Sequence, residues 1–86
     1  LNKVYDLIYL DADKLYYQYY YDHCIPILKS GGILIADNVL WNAQVLAPED
    51  PKSQALDAFN KQVKIDNRVC QVLLPLRDGC TIVRKN

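Results

Sequence analysis

Two apolar segments constrain the fold of this chain most, because each runs without a break into polar side chains. Residues 4–10, VYDLIYL, lead into DADK at 11–14, and residues 33–36, ILIA, lead into DN at 37–38. Continuous apolar runs of this length are typical of strands that are covered on both faces of a parallel sheet. We therefore predict two buried parallel strands, each with a polar cluster at its carboxyl end.

The segment between these strands has helical spacing. Residues 15–29 place side chains at i, i+3, i+4, i+7 and i+11 on one face, namely Tyr17, Tyr20, Tyr21, Cys24 and Leu28. Pro26 lacks a backbone donor and predicts a kink or a restart near residues 22–24, while the glycines of KSGG at 29–32 are expected to cap the helix. Strand, helix and strand in about 35 residues predict a βαβ unit with a right-handed crossover.

The second half of the chain predicts one more helix and a hairpin. Residues 39–50 are interpreted as a loop containing Trp41, and Asp50 followed by Pro51 is a typical helix start. Leu56, Phe59 and Val63 mark the buried stripe of a helix that ends near 66–67. Residues 69–76 and 80–85 are expected to form an antiparallel hairpin with Gly79 in its turn. The predicted fold class is α/β, with the order β-α-β-α-β-β in part of a doubly wound sheet.

Composition narrows the class of protein. The 86 residues can form one compact unit at most, and an apolar fraction of 51% makes a packed core plausible. Ten basic residues balance ten acidic ones without a basic cluster, which argues against a nucleic-acid or anionic membrane surface. With no apolar run near the ~20 residues of a membrane span and no signal peptide, we expect a soluble, cytoplasmic protein.

Two smaller features bear on the cellular context. Cys24, Cys70 and Cys80 are odd in number and lack C-x-x-C spacing, so we interpret them as buried, reduced thiols. The chain starts with Leu1 and contains no Met, so we expect it to be a piece of a longer protein.

Candidate chemistry lies at the strand ends, where open α/β sheets bind ligands. If the two strands are neighbours, Asp11, Asp37 and Asn38 converge and offer the oxygen ligands that a divalent cation such as Mg²⁺ prefers. Two plainer interpretations stay open: Asp11 or Asp13 could cap the following helix, and residues 37–38 could simply open a loop. Lys14 could form an ordinary salt bridge or accept a proton from a substrate hydroxyl.

Two further features are interpreted as structural. His23 is alone on the predicted helix and is expected to be a helix or surface residue. Five of the seven tyrosines lie within residues 16–21. Since no basic patch accompanies them, we expect them to serve packing and interface rather than base stacking.

The motifs together resemble one known family. YDLIYLDADK, a Tyr-rich helix, LKSGGILIADNVLWNAQV, a Pro-capped helix with FN, and VLLPLRDGCTIVRK follow the order of the C-terminal half of class I S-adenosylmethionine-dependent O-methyltransferases. The cation-dependent caffeoyl-CoA type is the most similar branch. The resemblance covers essentially all 86 residues and implies a Rossmann-like sheet, of which residues 1–86 are the C-terminal part of one domain.

The resemblance also implies roles for individual residues. Asp11, Asp37 and Asn38 match the ligands of the divalent cation, which is Mg²⁺ or else Ca²⁺ or Mn²⁺. Asp13 matches a contact to S-adenosylmethionine, and Lys14 matches the general base on the acceptor hydroxyl. Asn42 matches a position near the acceptor, which Asp11 and Lys14 also adjoin. The acceptor implied is a small phenol of the catechol or caffeoyl type, and family relatives often form homodimers.

Departures from the family pattern leave rival interpretations open. The glycine-rich cofactor turn of the family has no counterpart in these residues, whose glycines are Gly31, Gly32 and Gly79. We therefore expect the N-terminal cofactor-binding half to be missing and the 86 residues alone to be inactive. One alternative is a truncated scaffold or interaction fragment without catalysis. Another is a Mg²⁺-dependent D-x-D phosphohydrolase, although such enzymes have Thr or Val in place of Lys14 and do not explain DNVLWN.

Overall fold

Six regular elements make up the part of the chain that the structure, a computed structural model, describes: residues 3–37, 39 and 49–86. In chain order they are β1 (Tyr5–Leu10), α1 (Tyr17–Cys24), β2 (Leu28–Asp37), α2 (Pro51–Ile65), β3 (Val69–Leu74) and β4 (Cys80–Lys85). Short 3₁₀ turns precede and follow α1. The order β-α-β-α-β-β predicted from the sequence is confirmed.

The four strands form one mixed sheet in the spatial order β1-β2-β4-β3. β1 and β2 are parallel, with Leu10 opposite Ala36, so Asp11 and Asp37 both follow this pair at the same edge of the sheet. β4 is antiparallel to both β2 and β3, and Gly79 lies in the β3–β4 turn with a φ of 86°. The parallel pair and the hairpin are therefore confirmed, and the two polar clusters are neighbours.

The core lies on one face of the sheet, where both helices pack. Its centre is Phe59 of α2, whose ring meets Tyr17 edge-on at 5.4 Å and Tyr21 edge-on at 5.5 Å. The predicted α2 stripe is buried completely.

The prediction that β1 is covered on both faces is wrong for this structure. Leu7 and Tyr9 are 60% and 57% exposed. They point to the side of the sheet opposite α1 and α2, and no described element packs on that side.

The helix predicted over residues 15–29 is shorter than expected. α1 ends at Cys24, and Pro26 lies in the 3₁₀ turn Ile25–Ile27 that follows it, as the predicted restart requires.

The glycines of KSGG do not cap a helix, because they lie inside β2 where its register with β1 shifts. Gly31 has a φ of 82°, and a Cβ on Gly32 would lie 2.7 Å from the Lys29 carbonyl oxygen. Both glycines thus serve the irregular start of β2.

The start of α2 follows the sequence signal closely. The Asp50 side chain accepts from the Ser53 backbone N–H at 2.7 Å, and Ser53 Oγ accepts from the Asp50 backbone N–H at 3.2 Å. Pro51 occupies the first turn. This reciprocal pair is a capping box, which satisfies two donors at the helix start. Most of the loop predicted before it, including Trp41, lies outside the described residues.

The predicted burial of the three cysteines is confirmed only in part. None of the three cysteines forms a disulfide; Cys24 and Cys80 are half-buried, and burial raises the pKa of both thiols. Cys70 is exposed, so its predicted burial is wrong: β3 is an edge strand, and Cys70 lies on the face away from the helices.

Within residues 3–37, 39 and 49–86, neither helix is long and apolar enough to cross a membrane.

Candidate active site

Lys14 lies buried at the edge where β1 ends. It opens the 3₁₀ turn Lys14–Tyr16, and it is only 6% exposed. Its Nζ donates to the Tyr17 hydroxyl at 2.8 Å and to the Ala12 carbonyl at 3.2 Å, and it lies 3.7 Å from Asp11 Oδ1. The ammonium also lies 4.5 Å from the centroid of the Tyr17 ring. A buried lysine held by several polar partners is not an ordinary surface charge.

Tyr17 joins this lysine to the neighbouring strand. Its hydroxyl donates to the Asp37 backbone carbonyl at 2.6 Å while it accepts from Lys14. Burial, and next the negative charge of Asp11, raise the pKa of Tyr17, so the phenol stays protonated and available as a donor. One hydroxyl therefore connects the ends of β1 and β2.

The two carboxylates at this edge differ in their surroundings. The Asp11 side chain is 51% exposed beside Lys14. Asp37 is half-buried, and its Oδ2 accepts from the Tyr9 hydroxyl at 2.5 Å. That hydrogen bond to Asp37 is the main reason that the pKa of Tyr9 rises to about 12. The edge thus combines one half-exposed carboxylate with one held in place by a tyrosine.

The donor set fits a hard divalent cation in its chemistry. Asp11 and Asp37 follow paired residues of neighbouring parallel strands, so their carboxylates approach the same corner. In the described part of the chain, no group of three or more His, Cys, Asp or Glu side chains could hold a metal. The predicted set needs only two carboxylates, because its third member is Asn38, which lies outside the described residues. The metal role of these three residues stays a prediction.

Asp13 has the capping role that the sequence left open. Its Oδ1 accepts from the Leu15 backbone N–H at 3.1 Å, and its backbone carbonyl accepts from Tyr16 N–H at 2.9 Å. Asp13 is exposed, so capping leaves its side chain accessible, and its contact to S-adenosylmethionine stays a prediction. Asn42, predicted to lie near the acceptor, falls outside the described residues.

Val39, which follows Asn38, is fixed from two sides. Its N–H donates to the Gly79 carbonyl at 3.3 Å, and its carbonyl accepts from Asn60 Nδ2 at 2.9 Å. The Val39 side chain is fully buried. The helix α2 and the hairpin turn therefore anchor the chain just after β2.

A second polar network lies one helical turn further along α1. The Tyr21 hydroxyl donates to Asp66 Oδ2 at 2.8 Å, and Arg68 donates to both oxygens of that carboxylate, Nη2 at 2.8 Å and Nε at 3.0 Å. The Arg68 guanidinium holds the pKa of Asp66 down at about 2, and burial raises the pKa of Tyr21. This network joins α1 to the segment between α2 and β3.

Sequence reasoning missed two residues of the candidate site. The sequence predicts only a packing role for Tyr17 and gives no signal for Asn60 beyond the FN motif. In both cases the polar atom acts on the backbone of another element, Asp37 for Tyr17 and Val39 for Asn60. Such partners are 20 and 21 residues away and leave no local pattern in a single sequence. His23, by contrast, lies exposed on α1 with its Nδ1 2.8 Å from the Tyr19 carbonyl oxygen, as expected for a helix or surface residue.

Comparisons with known proteins agree with this architecture. A family model described as O-methyltransferase matches residues 2–86. The chain is 38% identical over 87 residues to "Probable caffeoyl-CoA O-methyltransferase 1" of Dictyostelium discoideum, covering 98% of this chain and 38% of that protein. It is 37% identical over 89 residues to the caffeoyl-CoA O-methyltransferase of Medicago sativa, covering 94% and 36%.

A solved methyltransferase structure also has the same fold as this chain. An SAH-bound methyltransferase from Podospora anserina superposes with a TM-score of 0.90 at 30% identity, covering 100% of this chain and 43% of that one. The chain therefore spans about two fifths of the length of the proteins that it matches.

Proposed function

Because this chain belongs to the O-methyltransferase family, we propose that the protein containing it transfers a methyl group from S-adenosylmethionine to a phenolic hydroxyl. The observation that carries the proposal is the buried Lys14, which lies beside Asp11 at the sheet edge where Asp37 also ends its strand. The caffeoyl-CoA O-methyltransferases among its relatives favour an acceptor with two vicinal oxygens, as in a catechol.

Each residue of the edge has a part in the proposed reaction. Lys14 accepts the proton that the acceptor hydroxyl loses. Asp11, Asp37 and Asn38 would hold a divalent cation, whose positive charge lowers the pKa of that hydroxyl. Asp13 would contact the methyl donor.

The atoms of the reaction balance without an oxidant. When bound, S-adenosylmethionine would supply an electrophilic methyl group on a sulfonium, with the thioether S-adenosylhomocysteine as the leaving group. The acceptor oxygen forms the new bond to carbon, and its proton resides on Lys14. Most of the acceleration would come from alignment of oxygen and methyl and from charge at the edge.

The rest of the domain is part of the proposal. The relatives are more than twice as long as this chain, and the cofactor turn expected from the family is not among these residues. We place residues 1–86 in the C-terminal part of such a domain, where they supply the base and the cation ligands. A second section of chain would supply most of the methyl-donor pocket.

The experiment uses the full-length protein that contains these residues, with caffeoyl-CoA and catechol as acceptors. S-Adenosylhomocysteine release is measured with and without a chelator, and for Asp37→Ala. We expect release in the wild type and loss of activity in both other cases. No release with either acceptor would contradict the proposed activity, whereas release unaffected by chelator and by Asp37→Ala would contradict the cation role alone.

A further inference from the structure

The groups around the Tyr17 hydroxyl fix the directions of its hydrogen bonds. The Asp37 carbonyl can only accept, so the phenol proton must point towards it across 2.6 Å. Lys14 Nζ donates to the same oxygen at 2.8 Å, so it faces a lone pair of the hydroxyl. The hydroxyl cannot turn without losing one partner.

We propose that Tyr17 is a positioning residue that holds the Lys14 amine at the carboxyl edge of β1 and β2, in place to receive the acceptor proton. This inference rests on the proposed function and deepens it. Tyr17 touches neither acceptor nor donor in this role, since it acts through Lys14 and through the backbone of Asp37.

Packing alone does not explain the hydroxyl. The Tyr17 ring is completely buried and meets Phe59 edge-on, and a phenylalanine would fill the same space. Tyr21 has almost the same burial, at 1%, and the same edge-on contact with Phe59. Its hydroxyl, however, donates to Asp66, which follows α2. The two tyrosines therefore share their packing and differ in what the hydroxyl holds.

Loss of the Tyr17 hydroxyl would remove the shortest of the contacts described for the lysine head group. The 2.8 Å contact with Tyr17 is shorter than the contacts of the ammonium with Ala12 and Asp11. Lys14 has a flexible four-carbon stem, so without the hydroxyl its head group would sample more positions. Because misplacement of a reacting group by about 1 Å can cost 100-fold in rate, we expect kcat to fall about 10- to 100-fold. Affinity for donor and acceptor should change little, because Tyr17 contacts neither.

The test compares Tyr17→Phe with Tyr21→Phe in the full-length protein by two measurements. The first is kcat and KM for methyl transfer. The second is the rate at which acetic anhydride labels Lys14, followed by peptide mass spectrometry with exposed Lys64 as internal reference. We expect Tyr17→Phe to lower kcat with KM nearly constant and to speed Lys14 labelling about 3- to 10-fold. Tyr21→Phe should change neither measurement.

Two results would overturn the positioning role. One is an equal loss of kcat in both variants, which would reflect stability alone. The other is unchanged labelling of Lys14 in Tyr17→Phe. If the wild type releases no S-adenosylhomocysteine, the proposed function fails, while the labelling still decides whether Tyr17 restrains Lys14.

Discussion

The two ends of α1 are built from the same parts and differ in what they hold. Tyr17 and Tyr21 are both buried with edge-on contacts to the ring of Phe59, and each hydroxyl donates to a group of another element. At the Tyr17 end the partners are a lysine and a backbone carbonyl beside an exposed carboxylate. At the Tyr21 end the partner is a carboxylate already paired with Arg68 on both oxygens.

That difference separates a reactive corner from a structural one. A closed network such as Tyr21, Asp66 and Arg68 satisfies its own charges and stabilises the fold. The Tyr17 corner instead leaves Asp11 half-exposed next to a buried lysine, which is an arrangement suited to receive a ligand. Substitutions at the two ends should therefore affect different properties.

The largest effect is expected at Lys14. Lys14→Met keeps the length and apolar stem of the side chain but removes the amine that accepts the proton. Loss of a general base costs about 100- to 10,000-fold in rate, so kcat in the full-length protein should fall by that factor. Lys64→Met, on the exposed side of α2, is the matched control and should keep wild-type kcat. A Lys14→Met enzyme within threefold of wild type would remove Lys14 from the mechanism.

The network at Tyr21 should contribute to the stability of the protein in a way that depends on acid pH. The pKa of Asp66 lies at about 2 in the folded chain against an ordinary 3.8, and its side chain is 11% exposed. Because the folded pKa is the lower one, its contribution is fully present above pH 4 and is lost as the pH falls towards 2. The shift corresponds to about 2 kcal/mol.

Urea unfolding of the full-length protein between pH 5 and pH 2 measures this contribution. Asp66→Asn should lower the free energy of unfolding at pH 5 and flatten its dependence on pH below 4. Asp57→Asn, which removes a carboxylate from an exposed pair with Lys61, should keep the wild-type slope. An acid dependence that is the same in Asp66→Asn and wild type would show that the Arg68 pair does not lower this pKa.

A smaller effect is expected at Asn60 of α2. Asn60→Ala removes the donor to the Val39 carbonyl, a loss of about 1 kcal/mol of stability. Since Val39 adjoins the predicted cation ligand Asn38, we also expect a several-fold higher cation concentration for half-maximal activity. Gln54→Ala, which removes a weaker 3.4 Å contact with the Glu49 carbonyl at the α2 start, is the control. Equal cation dependence in both variants would separate Asn60 from the site.

Local signals in the sequence predicted most of the fold. The strand ends at DADK and DN, the Asp50 and Pro51 helix start and the Gly79 turn all depend on neighbouring residues, and the structure has each of them. KSGG was misplaced because glycines that cap a helix and glycines that open an irregular strand look alike in one sequence. The exposure of β1 depends on which elements cover the sheet, and no local pattern records that.

The residues of the candidate site were predictable from the sequence only in part. Its charged members stand out at the strand ends, where an apolar run stops abruptly at Asp11 and Asp37. Its supporting members do not, because Tyr17 and Asn60 act on backbone atoms that only the folded chain brings within reach. The reactive groups could thus be found from sequence, and the groups that position them could not.

The most direct test of the comparison between the two ends is to measure where a divalent cation binds. Mn²⁺ binding to the full-length protein is measured by electron paramagnetic resonance for wild type, Asp37→Asn and Asp66→Asn. Each variant replaces one half-buried carboxylate, Asp37 at the end of β2 or Asp66 just after α2. We predict that Asp37→Asn weakens binding at least about tenfold, as the loss of a charged ligand requires, and that Asp66→Asn leaves it unchanged. Equal affinity in wild type and Asp37→Asn, or weaker binding only in Asp66→Asn, would contradict the assignment of the reactive corner.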